Sequence, residues 1–366
     1  MKITQVTFIP HQLRRKVRWQ TASYSADSVQ ALYVTITTDA GLTGVGASSV
    51  MPKENATFEP GIQALRAATR QSFAGRDPLA IDGLMNQLDH SVAGYSRHKV
   101  ALEVALYDLA GKIQNASVAT LLGGARRQAV PILKMLGMGT SEWMANRAAQ
   151  FVSQGYRHLK VKLGSGPEID YERFGAIRKS VGADVTLTAD FNGAYDAPTA
   201  IKVIDRISAD GLSMVEQPVP AVDIAGMAAV TRAVKPIVLA DQSVDTPADV
   251  EKIARNGAAK AVSIKLLKLG GIQKSLAVVK ACEEAGLFCH VGGTGTSRLV
   301  EAAQAHFISA TPAVLVPSEI AEFEELDGDL VKGLEVVDGV IQVPQGPGLG
   351  VSLDIEAFRT VSGAYP

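Results

Sequence analysis

From about Gln128 to Val316 the chain repeats one unit: a short apolar run, a longer amphipathic stretch, then another run. Short apolar runs bounded by turn residues read as buried strands, and apolar residues recurring every three or four positions read as helices. The runs are Val130–Leu136, His158–Leu163, Val185–Phe191, Met214–Glu216, Ile237–Ala240, Ala261–Leu266, Leu287–Val291 and Ala313–Val316, eight in all. Seven amphipathic stretches separate them, clearest at Tyr171–Val181, Pro198–Ile207, Pro247–Asn256 and Ile272–Ala285, several preceded by an Asp, Ser or Thr able to cap a helix. Eight strands and seven helices predict an α/β fold, a (β/α)7β barrel of the TIM type, with its active site at the C-terminal ends of the strands. An open doubly wound sheet is the rival. No strand is followed by a G-x-G-x-x-G turn, and GLTGVG (Gly41–Gly46) has different spacing between two β-like runs.

The 366 residues exceed the roughly 250 to 300 over which one core usually grows, so a second, smaller domain is expected. Residues 1–125 read as an α+β capping domain: alternating runs at Lys2–Pro10 and Ala31–Thr38, then helical segments such as His98–Gln114. LLGGARR (Leu121–Arg127) leads into a barrel over residues 126–330, and residues 331–366, with QGPGLG (Gln345–Gly350), have strand and turn character and are expected to return to the cap. His11–Tyr24, with clustered cations and two aromatics, fits a mobile lid over an anionic substrate or a solvated hairpin tip.

With 36 basic and 37 acidic residues, a net charge of −1, no overall field draws nucleic acid or an anionic membrane. A small-molecule partner is expected, together with self-association into a homo-oligomer. The start MKITQVTFIPHQLRRK has no long apolar core and no stretch of ~18 apolar residues occurs, so a cytoplasmic location is expected. Cys282 and Cys289 read as reduced, buried thiols.

Three consecutive predicted strands end in an acid: TADFN gives Asp190, MVEQP gives Glu216 and LADQS gives Asp241. Neighbouring parallel strands stand ~4.8 Å apart, so the three carboxylates converge. Like charges this close repel unless a cation is shared, and all-oxygen ligation favours Mg²⁺, or Mn²⁺, over zinc. Lysines flank the acids: Lys160 and Lys162 in HLKVKLG before them, Lys265 in AVSIKL after them. Residues two apart on a strand share a face, so Lys160 and Lys162 both point into the barrel. A second cation and burial are expected to bring such a lysine from ~10.4 toward ~7 to 8, where it can act as a base. Each charged residue taken alone reads equally well as a solvated loop residue; the ordered series base–acid–acid–acid–base does not.

In these residues the chain resembles the enolase superfamily, and within it the muconate lactonising group of the mandelate racemase/muconate lactonising family. The K-x-K at Lys160–Lys162, D-x-N at Asp190–Asn192, E-Q-P at Glu216–Pro218, A-D at Ala240–Asp241 and I-K at Ile264–Lys265 fall in family order. The metal and lysine positions follow at intervals of 26, 25 and 24 residues from Asp190. The resemblance implies an isomerase in which Asp190, Glu216 and Asp241 bind Mg²⁺. The metal receives the substrate carboxylate and stabilises an enediolate formed on loss of the α-proton. Lys162 and Lys265 would stand on opposite faces, with Lys160 tuning Lys162; racemisation, epimerisation or cycloisomerisation would follow, or dehydration of a hydroxy acid. Asn192, Gln242 and Glu319 are the expected substrate contacts or supports of the site.

Departures from the family pattern bear on the substrate. Gln242 stands where many relatives have glutamate, and Ala47 in GVGAS (Gly44–Ser48) where relatives often carry an acid. PSEIAEF (Pro317–Phe323) lacks the Asp-x-Asp by which dipeptide epimerases grip an ammonium, which argues against dipeptides. His290 and His158 read as structural histidines. A metal-independent Schiff-base lyase using Lys265 leaves the three carboxylates unexplained, and a non-catalytic binding protein leaves the lysines and acids together unexplained.

Overall fold

The computed structural model describes residues 1–363. The chain opens as an antiparallel meander of β1 (Ile3–Gln20), β2 (Ser25–Thr38) and β3 (Thr43–Val50). Helices α1 (Phe58–Ser72), α2 (Ile81–Ser91) and α3 (Ser96–Gln114) follow. Helix α3 is buried from Arg97 to Gly111, around its whole circumference, so it forms a core shared by several elements rather than a surface helix. Its closeness to the meander depends on Gly44 and Gly46, where any Cβ would strike the carbonyls of Ala105 and Ala101.

After the short α4 (Val118–Leu121) come β4 (Ala129–Pro131) and β5 (Leu133–Leu136). One run was expected over Val130–Leu136. The chain divides it at Ile132, because β4 pairs antiparallel with Val340–Gln342 whereas β5 pairs parallel with the next barrel strand. The barrel then proceeds through α5 (Ser141–Ser153), β6 (His158–Lys162), α6 (Pro167–Val181), β7 (Thr186–Asp190), α7 (Ala197–Ser208), β8 (Leu212–Glu216) and α8 (Ile224–Ala233). It continues with β9 (Ile237–Ala240), α9 (Pro247–Asn256), β10 (Ala261–Ile264), the single turn α10 (Leu266–Leu269), α11 (Ile272–Ala285), β11 (Phe288–Val291), α12 (Arg298–Ala310) and β12 (Val314–Leu315). The eight strands β5 to β12 lie side by side in sequence order. The ring closes where Leu133 N donates to Ser318 O at 2.9 Å and Ser318 N to Pro131 O at 3.0 Å. The expected Ala261–Leu266 strand ends two residues early, since Leu266 begins α10.

Side chains at the barrel's βα turns fix the helix starts: Thr140, Asp196, Asp223 and Thr246 each accept a backbone N–H of the first turn. Helix α11 has no such residue. Its N-cap is Gly271, and Glu103 of α3 accepts instead from Ile272 N at 2.5 Å and Gln273 N at 3.1 Å. The tail also reaches α3, where Asp108 accepts from Leu349 N at 2.9 Å and from Val45 N at 2.8 Å.

The segment His11–Tyr24 forms the end of the β1–β2 hairpin, with Ala22 and Ser23 exposed in its turn. Its first ten residues belong to β1, and the last of them, Gln20, ties the hairpin to the barrel, its O accepting from Met138 N at 2.9 Å. Both cysteines are buried and free. Among the described residues no helix is long and apolar enough to cross a membrane.

Candidate active site

The acids gather because of strand register. Lys162 of β6 lies opposite Asp190 of β7, and Asp190 opposite Glu216 of β8. Glu216 is level with Leu239 of β9, so Asp241 stands two residues further out, on the same face by the period of two. All three carboxylates are buried. Asn192, at φ 47°, turns the chain back so that its amide nitrogen donates to Asp190 Oδ1 at 2.8 Å.

The lysines interleave with the acids. Lys160 Nζ donates to Glu216 Oε2 at 2.6 Å and Glu319 Oε1 at 2.8 Å and lies 3.4 Å from Asp190 Oδ2. Lys162 donates to Asp190 Oδ2. Across the row, Lys265 Nζ donates to Asp241 Oδ2 at 2.6 Å and stands 3.6 Å from Glu216 Oε1. The site residues named from sequence are therefore brought together, with one exception. Gln242 is exposed and takes no part in the cluster's hydrogen bonds, unlike Asp241 before it.

Several members carried no local signal. Lys268, one turn past Lys265 on α10, donates to Asp241 O at 2.5 Å. Gln217 bridges two strand ends: its Oε1 accepts from Asp241 N at 3.0 Å while its Nε2 donates to Ser243 Oγ at 2.8 Å. His290 hydrogen-bonds Glu319 Oε1 at 2.8 Å, so the histidine read as structural is both satisfied and part of the charged cluster. Glu319 also accepts from Gly293 N at 3.0 Å, so it contacts Lys160, His290 and backbone.

Four carboxylates, Asp190, Glu216, Asp241 and Glu319, thus face four ammonium groups, Lys160, Lys162, Lys265 and Lys268. Burial works against charge on every one, and the opposite charges overcome it unevenly. For Asp241, burial is outweighed by Lys265 and Lys268, which hold the carboxyl well below its ordinary range. Glu319 is likewise held low by Lys160 and His290, despite burial. Glu216 goes the other way: burial, with Asp190 and Asp241 adding to it, pushes the group up to about 8 in spite of Lys160. Lys160 and Lys265 are not brought down toward neutrality. Burial lowers them, but the adjoining carboxylates outweigh it and leave both above the ordinary lysine value.

Glu216 Oε1 is buried without a hydrogen-bond partner, as is Asn192 Oδ1. A bare carboxylate oxygen beside two further carboxylates is a fit for a hard divalent cation, whose ligands are oxygens. Glu216, His290 and Glu319 also offer ligand atoms within 4.8 Å of one another. That trio is a poorer fit, because Lys160 already bridges both of its acids.

Comparison with known proteins gives the family. Residues 143–357 match the family described as "Enolase C-terminal domain-like", and residues 3–123 match "Mandelate racemase / muconate lactonizing enzyme, N-terminal domain". Muconate cycloisomerase 1 of Rhodococcus opacus is 32% identical, over 97% of this chain and 96% of its own. The crystal structure of N-succinyl Arg/Lys racemase from Bacillus cereus superposes with a TM-score of 0.92 at 25% identity, over 99% of this chain and 98% of its own. A dipeptide epimerase from Enterococcus faecalis, complexed with Mg and the dipeptide L-Leu-L-Tyr, gives 0.91 at 29% identity, over 96% of this chain and 100% of its own. The fold and site define a member of the enolase superfamily. Within it, the chain belongs to the mandelate racemase/muconate lactonizing family and is an enzyme of the isomerase class.

Proposed function

We propose that the protein removes the proton α to a substrate carboxylate and completes a racemisation, epimerisation or cycloisomerisation, with Asp190, Glu216 and Asp241 holding Mg²⁺. The observation that carries this reading is the placement of two lysines, Lys162 on β6 and Lys265 just past β10, on either side of the acid-bearing strands β7, β8 and β9. Two bases on opposite sides of one carbon permit proton removal from one face and return on the other. Mg²⁺ bound there would supply positive charge to the substrate carboxylate as it gains electron density.

The charge count explains how a lysine becomes a base. A divalent cation beside Glu216 would displace the proton that burial holds there; with four ionised acids then facing four ammonium groups, the cation and one substrate carboxylate add one net positive charge. Loss of one ammonium proton restores balance, and like charge lowers the proton affinity of every lysine present. Lys162 contacts Asp190 alone and stands beside the acid row, whereas Lys160 is enclosed by three carboxylates. Lys162 therefore takes the α-proton and Lys265 serves the other face. Lys160 remains charged and fixes Glu216 and Glu319. Dehydration of a hydroxy acid would use the same residues, with Lys265 protonating the departing hydroxyl.

The test is incubation of chiral carboxylic acids, N-acylated amino acids and muconate-type acids in D₂O with Mg²⁺, following α-deuterium by mass spectrometry. Uptake that stops with chelator supports the reading, and the form of the product identifies the reaction. Exchange that persists without metal would overturn it.

A further inference from the structure

A second polar layer lies two residues inward from the strand ends, on the same barrel-facing side. Lys160 of β6 is level there with Thr188 of β7, and Ser263 of β10 with His290 of β11. His290 is buried, hydrogen-bonds Glu319 Oε1 at 2.8 Å, and has its Nδ1 3.2 Å from Pro317 O. Proton removal by Lys162 and Lys265 gives this histidine no task.

Glu319 is fixed from several elements at once. Its backbone N–H donates to Val291 O at 2.9 Å, its Oε1 meets Lys160 and His290, and its Oε2 accepts from Gly293 N at 3.0 Å. Gly293 allows that approach because it has no Cβ: one placed there would stand 2.8 Å from Met135 Cε and 3.0 Å from Glu319 Cβ. Both carboxylate oxygens are thus engaged by the protein itself.

The three carboxylates around Lys160 are not equivalent. Glu216 and Asp190 are the acids assigned to the cation, and a divalent cation between them would repel the ammonium that stands 2.6 Å from one and 3.4 Å from the other. Glu319, at 2.8 Å, is the acid left to Lys160. A lysine on a flexible stem stays in place only if its partner does, and His290 with Gly293 N holds that partner. The trio of Glu216, His290 and Glu319, with ligand atoms within 4.8 Å of one another, accordingly cradles an ammonium rather than a metal.

We propose that His290 is a positioning residue: by holding Glu319 it draws the Lys160 ammonium back from Glu216 and Asp190 and leaves those two acids open to Mg²⁺. The assignment deepens the proton-abstraction reading and rests on its metal ligands.

Calorimetry of Mg²⁺ binding to the full chain tests it. His290→Leu should weaken Mg²⁺ by about tenfold or more, because Lys160 then settles on the acids the metal needs. Loss of a histidine beside a cation site would otherwise leave the affinity unchanged or raise it, so the sign of the change separates the two accounts. His290→Gln, whose amide can still donate to Glu319, should recover most of the loss. In a Lys160→Met background there is no ammonium to draw back, and His290→Leu should change Mg²⁺ affinity by less than about twofold. Damage to the fold would instead appear in both backgrounds. Unchanged or tighter binding in His290→Leu, or an equal loss with and without Lys160, overturns the proposal. A native protein that binds no Mg²⁺ would defeat the metal reading and the proposal together. The expected cycle, in a protein that exchanges no α-proton with any acid, would uphold the role of His290 and defeat only the catalytic reading.

Discussion

Two groups of buried carboxylates, one on α3 and one at the barrel mouth, are held in different ways. On α3, Glu103 and Asp108 accept from backbone N–H groups of other elements, the start of α11 in one case and β3 and the tail in the other. At the barrel mouth every acid meets at least one lysine ammonium, and Glu216 Oε1 has no hydrogen-bond partner, Lys265 Nζ standing 3.6 Å away. Backbone donors cannot leave without unmaking a helix or strand, so the α3 acids are clamps. Lysine ammonium groups on flexible stems can exchange one partner for another, so the barrel-mouth acids can take up a cation or release a proton while the fold stands. The surroundings of an acid therefore distinguish a structural carboxylate from a reactive one better than its burial does.

The largest effect that would sharpen this contrast is on catalysis. Lys162→Ala should lower α-proton exchange by about 10²–10⁴-fold. Asp190 keeps Lys160 at 3.4 Å, so far-UV circular dichroism should stay native. Native exchange in a folded Lys162→Ala protein would remove this residue from the mechanism.

Next in size is metal linkage. If the barrel-mouth acids exchange partners, Mg²⁺ at a hundred times its dissociation constant should raise unfolding free energy by ~2.7 kcal/mol. Glu216→Gln should abolish most of that gain, and Glu103→Gln should leave it intact. Equal stabilisation of both variants would place the metal elsewhere.

The clamp on α11 comes third. Glu103→Ala should cost about 1–3 kcal/mol in urea unfolding, because two N–H groups at a buried helix start lose their acceptor. Burial pushes Glu103 up to about 7, the two backbone N–H groups only partly opposing it. The folded state therefore binds this proton more tightly than the unfolded chain, whose glutamates titrate near ~4.3. The contribution is present in full below that lower value and is lost as pH rises through about 7. The stability of the native protein relative to Glu103→Gln should fall across this window, and a flat difference would show that Glu103 is not held protonated.

The same contrast separates what was legible in the sequence from what was not. Asp190, Glu216 and Asp241 could be found because each terminates an apolar run, and strand periodicity fixes both face and neighbour. The α3 clamps were invisible: Glu103 meets Ile272 across 169 positions and Asp108 meets Leu349 across 241, and nothing near either residue signals such a partner. Lys268 escaped notice because it lies beyond the expected strand Ala261–Leu266, on a single helical turn that brings it back to Asp241.

The smallest predicted effect concerns Gln242, which follows a reactive acid in sequence and yet belongs to neither region. It is exposed, while Asp241 before it is held by Lys265, by Lys268 and, through its backbone, by Gln217. Any influence on Lys265 would have to cross solvent, where unit charges at ~4 Å interact by only ~1 kcal/mol and a neutral amide by less. Gln242→Ala should change α-proton exchange by less than about threefold, and Gln217→Ala by considerably more, because Asp241 N and Ser243 N would lose their shared acceptor. A tenfold or greater loss in Gln242→Ala alone, with Gln217→Ala near normal, would mean that the strand-end loop rearranges over the substrate and that the exposed position of Gln242 is not its working one.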